Sequence, residues 1–493
     1  MTELDSRAIL AIARGAEIHL SESELAEVEA NRARVDAALR AADGPVYGVH
    51  TGMGRMVGVP LDDEQQAGQQ ANLLIGRAVG GPPWLPEPDV RALLAVRLRG
   101  FLAPETGASA ELVRFVADRI NDGFVPAVPS DGLGSAGEII PLAHAFQTFL
   151  GIGTVLVDGV ETPASAELAR RGIRPITLRP KEGVSLIQGS PLALTHAIMR
   201  GAEARQVVES HSLATALTID AIGAPRAIYD PRLAGPDPVL AAVLTEIRDR
   251  TDGSPARSGV VQAPVSVRVG PQAIAHAVHT LDDLASAAET LLGTPTDSPA
   301  FLDGAFVSTA GYHAAGLGLR LDAVGAALVH LGEISVQRLH RLLDPQFSGV
   351  NAQLAVEPGP QAGLSPLHKR AAGELHQLRR LASPATLGSI DTSAGQEDVQ
   401  AFAWAAGEQL RAAIGRLRTI TACEMIGAAQ AHLLRAAPSA PALAATYERL
   451  AELVPPVLVD RPLGPDIDRL AASLELISNS TPSKMRARPN SSA

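Results

Sequence analysis

Five stretches of this 493-residue chain, about 271–293, 317–343, 364–382, 396–436 and 439–454, are rich in alanine and leucine, poor in β-branched residues and free of strand-like alternation. Such composition favours helix, and runs of this length predict a bundle of long helices. Two shorter helices announce their own ends. Ser21 with Glu24 three residues on is a capping box ahead of Leu25, Val28, Val35 and Leu39 at helical spacing, predicting a helix as far as Arg40. Asp237-Pro238 places a cap and a first-turn proline before Val239, Leu240, Val243, Leu244 and Ile247, and Asp252-Gly253 stops that helix. Loops rich in Gly, Pro and Ser occupy 43–60, 80–88, 121–137, 251–265, 294–316 and 383–396, and 153–162 fits a hairpin. The expected organisation is a loop-rich N-terminal part, 1–200, a central and C-terminal helix bundle, 201–480, and a disordered tail, 481–493, forming one cooperative unit.

Charge and cysteine usage narrow the function classes. The net charge is −11 and the basic residues are scattered, which gives no footprint for nucleic acid or an anionic membrane. The start of the chain, with Glu3 and Asp5 before a short apolar run, does not have the layout of a signal peptide, and no run approaches the ~18 apolar residues of a membrane span. The single cysteine, Cys423, excludes an internal disulfide, reads as a small buried residue in a helix, and suits a reducing cytoplasm. Among the histidines the nearest metal-like pair, His276 and His279, lacks a recognisable third ligand, so no metal is expected. The specific loops are then the place to look for chemistry.

Residues 129–144, PSDGLGSAGEIIPLAH, place three glycines in a turn and an acidic residue, Glu138, in the first turn of an apolar helix. A helix start offers free N–H groups and partial positive charge. The segment resembles the signature of histidine and phenylalanine ammonia-lyases, in which an Ala-Ser-Gly tripeptide precedes an acidic residue and a Pro-Leu-Ala-His run. Glu138, Pro141, Leu142, Ala143 and His144 fall in register, so the tripeptide here is Ser135-Ala136-Gly137. In that family the tripeptide cyclises and its middle serine dehydrates to give the methylidene of the MIO cofactor. Ala136 has no hydroxyl to lose, and the expectation is therefore that no MIO forms and that the protein has no cofactor. His144 reads as a packing residue.

The resemblance spans roughly 5–475 and continues in order along the chain. VYGVHTGMG, 46–54, resembles the loop carrying a catalytic tyrosine, which maps onto Tyr47, with His50 beside it. A tyrosine acting as a base near neutral pH needs a strongly lowered pKa. NLLIGRAVG, 72–80, has Gly76 and Arg77 in place of a Ser-His pair whose histidine reads the substrate in histidine lyases, and arginine suits an anionic or planar acceptor. KEGVSLIQGS, 181–190, puts Gln188 where the family has an asparagine near the substrate. QAPVSVRVGPQ, 262–272, keeps the carboxylate-binding arginine as Arg268 and replaces a tyrosine by Val265. GYHAAG, 311–316, carries Gly311, Tyr312 and Ala315 in place of asparagine, phenylalanine and glutamate, and TSAGQED, 392–398, keeps Gln396 and the acidic Glu397.

The resemblance implies a mainly α fold, a long-helix bundle of the ammonia-lyase and fumarase/aspartase-like type, and a homotetramer whose sites draw residues from three subunits. It implies a lyase-family enzyme acting on a small anionic or amino-acid-derived substrate by elimination, conjugate addition, cyclisation or isomerisation. In that reading Tyr47 or His50 removes a proton, Glu397 or Tyr312 donates one, and Arg77, Gln188, Arg268 and Gln396 bind substrate. Two alternatives stand beside it: an aromatic amino-acid ammonia-lyase or aminomutase whose MIO serine was mutated to Ala136, and a non-catalytic binding homologue.

Overall fold

The computed structural model describes residues 4–479, so the tail expected at 481–493 lies outside the described residues. The chain is mainly helical and divides into two compact units. One comprises residues 1–200, 284–321 and 384–408; the other comprises 201–283, 322–383 and 409–493. The long helices Pro191–Ile222, Gly270–Leu292, Ala315–Leu342 and Ala403–Arg435 contribute segments to both.

In the first unit, the capping box forms as read: Ser21 Oγ accepts from the Glu24 amide, Glu24 reaches back to the Ser21 amide, and the helix runs Glu22–Ala41. It packs on the helix Ala110–Asn121, which packs on Glu87–Phe101 and, through it, on Ser6–Ala13. Two antiparallel hairpins lie in this unit. Thr154–Val157 pairs with Val160–Pro163 around Asp158-Gly159, and Ala300–Leu302 pairs with Ala305–Val307 around Asp303-Gly304. All four turn residues have positive φ, the conformation a two-residue hairpin demands and Asp-Gly favours. The second hairpin falls inside the stretch 294–316 expected to be loop, because three-residue strands show almost no alternation.

That hairpin places the Tyr47 loop. Val46 and Val49 join Val35 and Leu39 of the helix Glu22–Ala41 and Phe301 of the hairpin in one buried cluster, edged by Ala38 and Phe306. A second anchor is Gln70 on the helix Asp63–Ile75, whose side chain donates to the Gly48 carbonyl at 3.1 Å and accepts from the Val184 amide at 3.2 Å. Loop and helix are thus fixed by side-chain packing on one side and by a buried amide on the other.

The second unit contains the helices Pro238–Arg250, Ser365–Arg380, Ala444–Leu453 and Gly464–Asn479. Asp237 caps the first of these, accepting from the Val239 and Leu240 amides. Its interior holds a fully buried ion pair: Arg338 grips Glu424 through two nitrogens, while Thr218 and Ser335 donate to the same carboxylate. The paired donors satisfy a charge that would otherwise be costly to bury. Immediately before Glu424 in the same helix, Cys423 is fully buried and burial pushes its thiol up to about 12.

Two expectations change. The helix expected over 396–436 begins at Ala403, because Ser393, Ala394 and Phe402 have left-handed φ and residues 392–397 close into a turn. The stretch Gly311–Leu342 is long and apolar enough to cross a membrane by length and composition, where no such run was expected, yet half of its most apolar window is buried inside the chain. Burial of that kind is what a core helix requires.

Candidate active site

The tripeptide 135–137 lies in the first unit at the start of the helix Ile139–Gln147. Ser135 and Ala136 are buried, and Ser135 Oγ donates to the Gly137 carbonyl at 2.6 Å, closing the turn on itself. The loop leading in is braced by its neighbour: Leu85 N donates to the Val128 carbonyl and Ser130 N to the Pro83 carbonyl. His144 accepts from the Gly80 amide through Nε2 at 2.9 Å, and burial lowers its pKa. It is therefore a neutral structural acceptor that ties the segment 77–80 to the helix.

Glu138 has a role that local sequence does not show. It stands at the N-cap of its own helix without capping it; instead its carboxylate accepts from the Leu192 and Ala193 amides at 2.6 and 2.7 Å. These are free N–H groups at the start of the helix Pro191–Ile222, so one carboxylate bolts the residue after the tripeptide to another helix end. Burial pushes Glu138 up to about 8, against the opposing pull of the two amides and of Arg97.

Two further side chains gather on this turn. Glu397 Oε2 accepts from the Ala136 amide at 3.0 Å and from Thr392 Oγ1 at 3.3 Å, while Oε1 accepts from Ser393 Oγ at 3.0 Å. Tyr312 lies over Gly137, where an added Cβ would stand 3.3 Å from its ring. Ser190 Oγ donates to the Gly311 carbonyl at 3.4 Å, so the segment after Gln188 borders the Tyr312 turn. Gln188 itself is buried at the end of the helix Glu182–Ile187.

Tyr47 is half-buried and its Oη accepts from the Gly54 amide at 2.9 Å. Burial raises its pKa; Arg77 pulls the other way, while Glu397 and Tyr312 push with burial. The lowered pKa that a resting tyrosine base requires is not found, because desolvation outweighs the one nearby cation. Arg77, just past the end of the helix Asp63–Ile75, is half-buried, and its charge faces Tyr47 and Glu397.

Glu397 and Tyr312 thus meet Ala136 and Gly137, and Tyr47 and Arg77 lie within electrostatic reach of Glu397. His50 does not join them as a free base: its Nδ1 accepts from the Val46 amide at 3.1 Å and locks the loop. Gln396 is exposed. Arg268 belongs to the second unit, where Nε donates to the Ala263 carbonyl at 2.9 Å. Sequence reasoning overlooked Glu138 and Gln70 as organisers, and also Thr392 and Ser393, which orient Glu397. Only the last two, adjacent to a candidate carboxylate, carried a local signal.

Residues 4–452 match the sequence profile of the family described as aromatic amino acid lyase. The chain is 33% identical over 447 residues to histidine ammonia-lyase of Symbiobacterium thermophilum, covering 88% of this chain and 87% of that protein. It is 35% identical over 475 residues to the Streptomyces coelicolor histidine ammonia-lyase, covering 93% and 92%. Among solved structures it is similar to tyrosine aminomutase from Streptomyces globisporus, with 25% identity, a TM-score of 0.92 and 98% of each chain covered. Histidine ammonia-lyase from Trypanosoma cruzi superposes with a TM-score of 0.88 at 25% identity, over 98% of this chain and 95% of that one.

These relatives overturn the expectation of an enzyme without a cofactor. Histidine ammonia-lyases carry MIO, and an alanine at one position does not establish that the protein works without it. Ala136 offers a methyl where the dehydration needs a hydroxyl, so the residue present does not fit the group. The matching profile, the identities along nearly the whole chain and the shared helical fold agree: the chain belongs to the aromatic amino acid lyase family and is a lyase-family enzyme.

Proposed function

We propose that this enzyme catalyses an elimination, or the reverse conjugate addition, on a small amino-acid-derived substrate, with Glu397 and Tyr47 handling the protons. The observation that carries the reading is the Glu397 carboxylate bound to the Ala136 amide beside Tyr312, with the Tyr47 phenol and the Arg77 cation within electrostatic reach of it. Glu397, oriented by the Ala136 amide, Thr392 and Ser393, takes the carbon-bound proton. Tyr47, kept protonated by burial, gives its proton to the departing group as the bond from carbon breaks. A double bond is left in the product, and the two residues exchange protons with solvent before the next cycle. Tyr312, packed over Gly137, shapes the wall of the site, and Gln188 supports substrate from the adjoining segment.

Arg268 binds the substrate carboxylate in this reading, and assembly of copies supplies it. We place the enzyme in the cytoplasm as a homotetramer with composite sites. Large apolar residues left exposed support assembly: Met56, Val79, Leu387 and Ile390 in the first unit, and Val261 and Val265 in the second. The test is turnover of a panel of L-amino acids, followed by absorbance of the unsaturated acid. Tyr47→Phe and Glu397→Gln should each lower kcat by about 100-fold or more while leaving the melting temperature within a few degrees. Wild-type rates in either variant would remove that residue from proton transfer.

A further inference from the structure

The turn that carries Arg268 is pinned from inside the second unit. Its backbone closes tightly: the Val267 and Arg268 amides donate to the Pro264 carbonyl at 3.0 and 3.2 Å, and the Val269 amide donates to the Val265 carbonyl at 2.9 Å. A helix as short as Val265–Arg268 leaves its last carbonyls without partners of its own. The carbonyl of the fully buried Val267 is met instead by Tyr229, whose Oη donates to it at 3.0 Å. Tyr229 ends the short helical turn Ala227–Tyr229 and has no exposed surface. Among the described residues its hydroxyl makes no other hydrogen bond, and burial raises its pKa, so it remains a donor.

The guanidinium is tied to this turn. Arg268 Nε donates to the Ala263 carbonyl at 2.9 Å, which fixes the side chain on its own segment's backbone and leaves the Nη edge over. That edge presents parallel N–H groups and pairs with both oxygens of a carboxylate. On the exit side, a Cβ at Gly270 would stand 3.0 Å from Thr215 Cγ2 and 3.5 Å from Arg338 Nη1, so the chain after Arg268 lies directly on the helix Pro191–Ile222. Residues 267 and 270 are thus held on either side of Arg268. An aromatic ring alone would fill the space at position 229. The hydroxyl has one partner, and that partner belongs to the peptide leading into Arg268.

We infer that Tyr229 is a positioning residue: its hydroxyl, bonded to the Val267 carbonyl, sets the direction from which Arg268 meets the substrate's carboxylate. The inference rests on the reading above that Arg268 binds that carboxylate. Without the hydroxyl the Val267 carbonyl is buried and unpaired, and it regains a partner only if the peptide rotates, which turns Arg268 with it. The phenol has no exposed surface and handles no proton of the reaction. Its effect acts through the grip on the carboxylate, a grip kept throughout the reaction, and so belongs in KM rather than kcat.

A double-mutant cycle on the full-length protein tests this, with isothermal titration of L-histidine, L-phenylalanine and L-tyrosine against their α-carboxamides. Wild type should bind at least one acid about 10- to 100-fold more tightly than its amide, and Arg268→Ala should bring that ratio close to one. Tyr229→Phe, which keeps the ring, should lower the ratio about 3- to 10-fold, and should change it no further when added to Arg268→Ala. For an amino acid that is turned over, Tyr229→Phe should raise KM by the same factor and leave kcat within about twofold. Hydrogen exchange over 263–270 should quicken in Tyr229→Phe while the rest of the second unit keeps its wild-type rates. A wild-type ratio in Tyr229→Phe, or a further fall on adding it to Arg268→Ala, overturns the inference and leaves the role of Arg268 intact. Unchanged exchange over 263–270, or faster exchange throughout the unit, overturns it as well, the latter by showing a general loss of packing. A ratio untouched by Arg268→Ala, or no preference for any acid, including no binding at all, instead removes Arg268 from the carboxylate and overturns the inference through its premise.

Discussion

Glu138 couples the stability of this fold to pH. Its carboxyl, pushed up to about 8 by burial, titrates near 4.3 in an unfolded chain. Between those values the folded protein holds a proton that the unfolded chain has released, so its contribution to stability is full at low pH and is lost as pH rises through about 8. Lys181, lowered to about 8 by burial, works in the opposite direction only above that point. Buried His144 and His211, whose pKa values are lowered by burial, oppose it through the histidine range, so the expectation is a difference: the melting temperature of the wild type relative to that of Glu138→Gln should fall from pH about 5 to about 8. A wild-type slope retained in Glu138→Gln would place the titration elsewhere. At this scale the sequence was legible where chemistry is written into a motif. Tyr47, Arg77, Tyr312 and Glu397 were all readable from ordered short segments, and the structure gathers them. Glu138 was not, because its partners are amides 54 and 55 residues away. Nor could the sequence show that Tyr47 is desolvated enough to stay a phenol.

Between elements, contact is controlled by glycine at Gly183. A Cβ there would stand 2.2 Å from the Gln70 carbonyl, so the helix Glu182–Ile187 can lie against Asp63–Ile75 only without a side chain at that point. Gly183→Ala should cost about 1–3 kcal/mol through forced separation of the helices. Turnover should fall as well, since Gln70 also holds Gly48 beside Tyr47. Thermal denaturation and kinetics on the same preparation measure both effects, and an unchanged melting temperature would show that the helices have room to part. Helices with ends encoded locally were readable: Ser21 and Asp237 cap where the sequence says they should. The helix Pro191–Ile222 was not, because it is buried on nearly all sides and carries Thr195, His196, Thr215, Thr218 and Asp220 inside, which erases the two-faced pattern of a surface helix.

For the whole molecule, the bundle character could be read from composition, whereas the division into units could not. Residues 284–321 and 384–408 join the N-terminal part through contacts that no local signal encodes. Val261, 94% exposed, and Val265, 64% exposed, are the residues that assembly into a tetramer should cover. Light scattering should give four copies, and Val261→Glu with Val265→Glu should dissociate them; a wild-type monomer would count against a composite site. Cys423 has a different consequence. It lies with no exposed surface in the long C-terminal helix beside the buried Arg338–Glu424 pair, and its thiol is held in the unreactive protonated form. A sulfhydryl reagent can therefore reach it only when that region opens, which makes the chain's one cysteine a clock for the lifetime of the closed state.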